Sequence, residues 1–456
     1  MKFDTLGLSS PILNAITECG YQQLTQVQQQ VIPLALTGKD IMACAQTGTG
    51  KTASFALPVL EQLAAQPADK PLLRALVMTP TRELAIQVCA NIQKYSQFLP
   101  LKTLAVYGGA NMNPQRKGVE QGVDILVATP GRLFDIIGQF NLDLSSVTTL
   151  VIDEADRMLD LGFVRDIEKV KRLIAPVHQT MLFSATYSDA VKQLSHKMLN
   201  QPQWVNVAEN TTASTVEQLV YRVDKRRKAE LLSELVGRNN WRQVLVFAST
   251  KECAEHLLQE LTLDGISAGV FHGDKTQGAR NRVLDDFKAG KLRVLVATDV
   301  AARGLDIQAL PLVINLELPF LAEDYVHRIG RTGRAGLSGR AISFVSPADE
   351  EMLAEIEALI GEKLSVTVQP GYEEGTPLPA RYRDLPVATT KTKWSYKAPK
   401  ERTIGKSSAA GKSSESQARA RKSPSREGKY SKDKAKVSSS QPQRSGGKPH
   451  SGHKLK

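Results

Sequence analysis

Ile41-Met42-Ala43-Cys44-Ala45-Gln46-Thr47-Gly48-Thr49-Gly50-Lys51-Thr52 reads as a short buried strand that runs into a glycine-rich turn. Phe55, Leu57, Val59 and Leu60 come next at the spacing of an apolar helix face. Such a strand-turn-helix junction suits a phosphate group. Glycines let backbone N–H groups approach phosphate oxygens, the helix N-terminus favours negative charge, Lys51 can neutralise β- and γ-phosphates, and Thr52 can ligate Mg²⁺. The general form of this loop opens on glycine, whereas here the first position is Ala45. A glycine-rich turn carrying a surface lysine is the plain alternative.

Outward from this loop, short β-branched apolar runs recur at 75–79, 103–107, 124–128, 149–153 and 180–184, separated by helical patterns. This is the pattern of buried parallel strands joined by crossover helices. Each run ends in small or polar residues: Pro80-Thr81-Arg82-Glu83, Gly108-Gly109, Thr129-Pro130-Gly131-Arg132, Glu154-Ala155-Asp156, Ala185-Thr186. Open α/β sheets bind ligands outside the carboxyl ends of their strands, so these segments are expected to line one edge. The pattern repeats at 244–248, 269–271, 294–297, 312–315 and 342–345. The fold class expected is therefore α/β with two parallel sheets in tandem, joined by the polar linker 209–216.

The chain has 456 residues and a formal net charge of +12. Residues 391–456 hold 19 Lys and Arg against four acids, a net of +15, which leaves −3 for residues 1–390. With only 12 residues of the AVILMFWYC set, that tail buries too little apolar surface to offset the entropy of ordering and is expected to be disordered. The remaining length exceeds the roughly 250–300 residues at which one core stops growing, so two domains are expected. Cys19, Cys44, Cys89 and Cys253 are scattered without a C-x-x-C pair, which argues against a zinc site or a disulfide framework. No apolar leader or membrane-length apolar run is present, and a soluble, cytoplasmic protein is expected.

Val151-Ile152-Asp153-Glu154 is an apolar strand that delivers two adjacent carboxylates. One can hold Mg²⁺, and the next can orient or deprotonate the water that attacks a γ-phosphate. Solvated acids at a strand end are the bland alternative, weakened by the loop upstream. Phosphoryl transfer also needs positive charge on its transition state, and His327-Arg328-Ile329-Gly330-Arg331-Thr332-Gly333-Arg334 offers arginines three apart.

Asp153-Glu154-Ala155-Asp156, taken with 45–52, 80–85, 129–132, Ser184-Ala185-Thr186 and 327–336 in this order, resembles the DEAD-box ATP-dependent RNA helicases, most like the bacterial RhlE type. The resemblance implies a Q-motif segment at 1–32, a RecA-like ATP-binding domain at 33–208, a RecA-like C-terminal domain at 217–370 and a basic tail at 371–456. It implies ATP and Mg²⁺ as cofactors, with Phe3, Tyr21, Gln28, Ala45, Gln46, Thr47, Gly48, Thr49, Gly50, Lys51, Thr52, Gly304 and Asp306 around the nucleotide and Thr52 and Asp153 on the metal. Family members also carry Ala at the Ala45 position. Leu24 and Gln26 replace prolines common in the Q motif, which is expected to soften its loop.

By the same resemblance Lys51, Asp153, Glu154, Arg331 and Arg334 are catalytic, the two arginines as fingers, and Asp156, Ser184, Thr186 and His327 couple nucleotide state to RNA. Arg82, Gly109, Thr129, Arg132, Gln277, Arg280 and Thr298 line an RNA track that suits backbone rather than base edges, so sequence preference is expected to be weak. Ribosomal precursors and RNA-decay machinery are candidate partners. The residues assigned to chemistry are split between the two domains, so hydrolysis is expected to require closure. An RNA-annealing or ATP-gated clamping protein without productive unwinding is the alternative. The tail is read either as a solubilising segment or as a nonspecific RNA tether. If it neutralises about five phosphates, RNA affinity falls about 100-fold between roughly 50 and 200 mM salt. Deleting 391–456 should flatten that slope, measured by RNA titration at both salts; an unchanged slope supports the solubilising role.

Overall fold

The computed structural model describes residues 1–379 apart from 47, 69, 71, 208–215, 303–306, 308–309, 334–338 and 374. Two seven-stranded sheets, both wholly parallel, lie within the compact unit Met1–Ala388. The first contains β1 (Ile41–Cys44), β2 (Ala75–Met78), β3 (Thr103–Val106), β4 (Ile125–Ala128), β5 (Thr149–Ile152), β6 (Gln179–Ser184) and β7 (Gln203–Asn206). The second contains β8 (Val216–Arg222), β9 (Val244–Ala248), β10 (Ala268–Phe271), β11 (Val294–Thr298), β12 (Leu312–Asn315), β13 (Gly339–Val345) and β14 (Ser365–Thr367).

Every strand read from the sequence is present with ends within one residue, except that β13 begins at Gly339 rather than at 342. The strands are legible because they are buried on both faces. In β1, Ile41 and Ala43 join a layer with Phe55 and Val88, while Met42 joins the opposite layer with Ile136 and Leu194. Three strands escape that signal. β7 and β14 are sheet edges with mixed composition, and β8 (Val-Glu-Gln-Leu-Val-Tyr-Arg) is only partly covered, with Glu217 paired to Arg340 of β13 at 2.8 Å. Val216 already belongs to β8, one residue inside the expected linker, whose other residues lie outside the described ones. The second lobe also runs past the boundary at 370: Tyr372 is buried, with the Arg227 guanidinium 4.1 Å from its ring centroid. The Lys- and Arg-rich segment 391–456 lies outside the described residues.

The strand orders are β3-β4-β2-β5-β6-β1-β7 and β10-β11-β9-β12-β13-β8-β14. Counted from the start of each lobe the two are the same, so the chain repeats one topology. The carboxyl ends of the first sheet therefore bring Ala45, Thr79, Thr129, Asp153 and Ala185 to one edge, while Thr298 and Leu316 end strands of the second.

Candidate active site

β1 delivers the loop 45–50 to the start of helix Lys51–Ala65. Gly48 and Gly50 have φ of 84° and 92°, a left-handed conformation that side chains rarely adopt. At Gly50 a Cβ would also collide with the Gln28 amide, so glycine is required twice over. Thr49 Oγ1 donates to the Gln46 carbonyl at 2.7 Å and pins the turn. Lys51 is buried at the first helical position, and its Nζ has no hydrogen-bond partner. Thr52 comes next, half-buried, while Thr47 lies outside the described residues. A buried ammonium without a partner is costly, and an anion in the loop removes that cost.

The amino-terminal segment braces this loop. Thr25 and Gln28 form a capping box on helix Gln26–Leu36, and Gln28 Nε2 also donates to the Gly50 carbonyl at 3.3 Å. Phe3 is buried and stacked on Tyr21 at 6.3 Å, and the Tyr21 hydroxyl lies 3.1 Å from that of Tyr95. Leu24, where the family motif often has proline, donates its N–H to the Met1 carbonyl at 3.2 Å. Proline has no N–H to donate, so this bond, with the buried Leu24 side chain, holds the segment where ring stiffness would otherwise do so.

Asp153 and Glu154 emerge from β5 into the same edge, both buried. Glu154 is left-handed at φ 52°, a strained conformation for a non-glycine residue, and its Oε2 has no hydrogen-bond partner. Burial pushes both carboxyls above the usual carboxylate range, with their proximity adding to the shift at Glu154. Asp156 moves the other way. Desolvation works against its charge, but the charges of His327 and Lys51 and the N–H groups of Arg157 and Ala185 hold its pKa below the ordinary value. Its Oδ2 accepts from Ala185 N at 2.9 Å, Thr186 N at 3.1 Å and Thr186 Oγ1 at 3.3 Å, and Ser184 Oγ accepts from Thr186 N at 3.4 Å. One carboxylate thus fixes the turn after β6.

The second lobe meets this edge through helix Ala322–Ile329 and the turn after it. His327 and Arg331 line a cleft of about 240 Å³ together with Glu154, Asp156 and Thr186. Arg331 is buried, and its charge acts on Glu154. Arg334, Gly304 and Asp306 lie outside the described residues. Arg328, from the same arginine row, turns inward instead: it is 1% exposed and donates to both oxygens of Asp299, to Asn315 Oδ1 at 3.1 Å and to the Glu317 carbonyl at 2.7 Å.

Most residues expected on the RNA track gather at the strand ends. The Arg82 guanidinium occupies the space a Cβ on Gly109 would need. Arg132 Nη2 donates to the Ala110 carbonyl at 3.0 Å while its Nη1 has no hydrogen-bond partner, and Thr129 is buried beside it on the same turn. In the second lobe Thr298 ends β11, and Gln277 opens helix Gln277–Lys288 with Nε2 on Asn281 Oδ1 at 3.0 Å. Arg280 departs from the expectation. It is 3% exposed, 4.5 Å from the Phe271 ring centroid, and its Nη2 lies 3.0 Å from Glu83 Oε1 of the first lobe. The guanidinium bridges protein to protein, because burial leaves it a carboxylate rather than solvent as partner. Glu83 gives no local signal of this role: it is the second residue of helix Arg82–Tyr95, and its partner is 197 positions away.

The family model for DEAD/DEAH box helicases matches residues 25–194, and that for the helicase conserved C-terminal domain matches 227–336. The DEAD-box ATP-dependent RNA helicase CshA of Bacillus subtilis (strain 168) is 41% identical over 375 residues, which cover 82% of this chain and 75% of that protein. The ATP-dependent RNA helicase CshA of Listeria monocytogenes serovar 1/2a is 40% identical over 374 residues, 82% and 71% of the two chains. These names establish the family rather than the RhlE subgroup. Among solved structures, S. cerevisiae Dbp5 bound to RNA and ADP BeF3 superimposes with a TM-score of 0.74 at 31% identity, covering 80% of this chain and 95% of that one. Mss116 bound to ssRNA and UDP-BeF gives 0.75 at 28% identity, covering 82% and 81%. Two parallel sheets of one topology, a phosphate-type loop and paired acids on the first and a buried arginine from the second agree with these matches: the chain belongs to the DEAD-box RNA helicase family.

Proposed function

We propose that this chain is an ATP-dependent RNA helicase that couples RNA-stimulated ATP hydrolysis to closure of its lobes, and through closure to local unwinding of RNA duplexes or remodelling of RNA–protein complexes. The observation that carries the reading is a pair of buried, partnerless charges, Lys51 Nζ and Glu154 Oε2, at an edge completed by Arg331 of the other lobe. Lys51 holds the β- and γ-phosphates, Glu154 orients and deprotonates the attacking water, and Arg331, with Arg334, neutralises the transition state, a contribution of about 10³–10⁵ in rate. Among the described residues no group of three or more His, Cys, Asp or Glu is placed to hold a metal. Mg²⁺ is bound through one or two carboxylates plus substrate phosphates; here Asp153 and the Thr52 hydroxyl would hold it, and it would supply charge neutralisation on the phosphates.

Because Lys51 and Glu154 belong to one lobe and Arg331 to the other, RNA that favours closure favours hydrolysis, and by linkage ATP favours RNA binding. Arg82, Gly109, Thr129 and Arg132 bind the RNA backbone. Four free cysteines support a cytoplasmic location. Among the described residues no helix is long and apolar enough to cross a membrane. Purified protein should hydrolyse ATP many-fold faster with single-stranded RNA than without it; equal rates overturn the coupling.

The Arg280–Glu83 pair gives closure a separate test. Breaking a buried charge pair costs about 2–5 kcal/mol, so Arg280→Glu or Glu83→Arg should raise the RNA concentration for half-maximal ATPase stimulation at least tenfold. The doubly reversed protein should recover most of that loss. If Arg280 acts on RNA phosphate instead, the double variant stays as impaired as Arg280→Glu alone.

A further inference from the structure

Helix Met112–Glu120 lies against β3, the edge strand of the first sheet, so closely that a Cβ on Gly118 would meet the Leu104 side chain at 2.9 Å. Of its nine residues only Gln115 is buried, so the helix buries an amide where an apolar side chain is the usual choice. Gln115 Oε1 accepts from Tyr107 N at 2.9 Å, and Nε2 donates to the Tyr107 and Asn111 carbonyls, both at 3.2 Å. The Val106 carbonyl accepts from Thr129 N at 3.0 Å, on the β4 side, so the backbone of the next residue, Tyr107, turns to the open edge of the sheet. There the amide takes the place of a missing strand. An amide that closes a sheet edge is an ordinary structural device; the loop between its two anchor points gives it a second use.

That loop is Gly108-Gly109-Ala110. The Ala110 carbonyl is taken by Arg132 Nη2 at 3.0 Å, so side chains hold the carbonyls of Tyr107, Ala110 and Asn111. The N–H groups of Gly108, Gly109 and Ala110, by contrast, donate to no described residue, and Gly109 is exposed. Gly109 is left-handed at φ 72°, with the Arg82 guanidinium where its Cβ would stand. Successive turn N–H groups whose carbonyls are drawn away form a concavity for an anion. Two guanidiniums flank this one, Arg82 and Arg132, and Nη1 of the second has no hydrogen-bond partner.

We propose that Gln115 is the positioning residue of this RNA grip: by holding the Tyr107 and Asn111 carbonyls it fixes the loop with its three N–H groups toward a backbone phosphate. The inference rests on the RNA track proposed above and extends it to a residue that itself touches no RNA. The chemistry selects the phosphodiester and ignores the base. Without the amide, the two carbonyls lose their donor, and the loop can turn either of them toward the phosphate, where it repels.

Gln115→Met keeps the length and approximate volume of the side chain and removes the amide. With single-stranded RNA titrated at saturating ATP, the RNA concentration for half-maximal ATPase should rise about tenfold, the worth of one hydrogen bond to a charged group. The rate at saturating RNA should stay within about twofold of wild type, because a backbone contact of this kind is equal in ground and transition states. Gln115→Glu keeps the acceptor for Tyr107 N but sets a carboxylate against both carbonyls, so it should weaken RNA at least as much. Gln115→Met combined with Gly109→Ala should bind RNA no more weakly than Gly109→Ala alone, since both act through one loop. A Gln115→Met protein with a lowered melting temperature and wild-type half-saturation would show an edge cap and nothing more, as would wild-type half-saturation in Gln115→Glu. Losses that add in the double variant would place the effect outside the loop and overturn the proposal. A wild type that RNA does not stimulate would instead sink the underlying RNA reading, before any variant is compared. Should Gln115→Met not fold, the Gln115→Glu titration decides by itself.

Discussion

Glu154→Gln should lower RNA-stimulated ATP turnover by about 10²–10⁴-fold, the usual contribution of a positioned general base, and at the same time raise the melting temperature of the nucleotide-free protein at pH 8. The second half stems from where the carboxylate sits. Glu154 is buried beside Asp153 with an oxygen that has no partner, and its pKa is raised by desolvation first and by that neighbouring charge second. A carboxyl whose folded pKa lies above its unfolded value of about 4.5 destabilises the fold as pH rises through the raised value, and adds no such burden below 4.5, where both states are protonated. Glutamine keeps the shape without the charge. The gain, about 2–4 °C for each kcal/mol relieved, should therefore be present at pH 8 and shrink as the melt is moved below pH 5. Asp156→Asn should behave oppositely: its carboxyl is held low, so its stabilising contribution is complete above about 3.8 and is lost only as pH falls through the lowered value. Identical melts for wild type and Glu154→Gln at pH 8 would sink the argument for strain at this site.

Arg328→Met should destabilise the second lobe by about 3–5 kcal/mol, the range for breaking a buried ion pair from one side. Four acceptors lose their donor at once, and Asp299 keeps a charge that is only 14% exposed. Methionine covers the Phe247 ring, 5.0 Å from the guanidinium carbon, as the arginine stem does, so the loss is chiefly electrostatic. A double variant with Asp299→Asn removes the stranded charge and should recover part of the loss in urea midpoint. A single variant within 1 kcal/mol of wild type would show that the pair contributes nothing net, as some exposed pairs do.

Arg328 and Arg331 mark where a sequence stops being legible. They are three apart in one arginine row, yet one is bound to Asp299 and Asn315 inside the lobe and the other lines the cleft with Glu154. Spacing places both on similar faces of a helix; only the strands packed beneath decide which is structural. Arg280 is expected on the RNA track and instead bridges the lobes for the same reason, since Glu83 lies in the other lobe. By contrast, β1 and β5 are apolar on both faces and end in the residues that matter, so the phosphate loop and the paired acids are legible locally. The edge strands β7 and β14 and the partly covered β8 are not, because exposure admits polar residues that break the apolar run.

The shared strand order also sets a schedule for synthesis. β1, which leads into the phosphate loop, lies between β6 and β7, the last two strands of its lobe to be made. A ribosome must have added residue 184 before β1 has its first neighbour and residue 206 before it has both. β8 likewise lies between β13 and β14 and waits for 367. Each lobe begins with the strand that is completed last, so long-range pairing governs both and the nascent chain emerges with its first strands unsatisfied. A chaperone that shelters emerging apolar segments would act here on β1 and β8 before any other strand, and a chain interrupted before residue 203 would leave one edge of β1 unpaired.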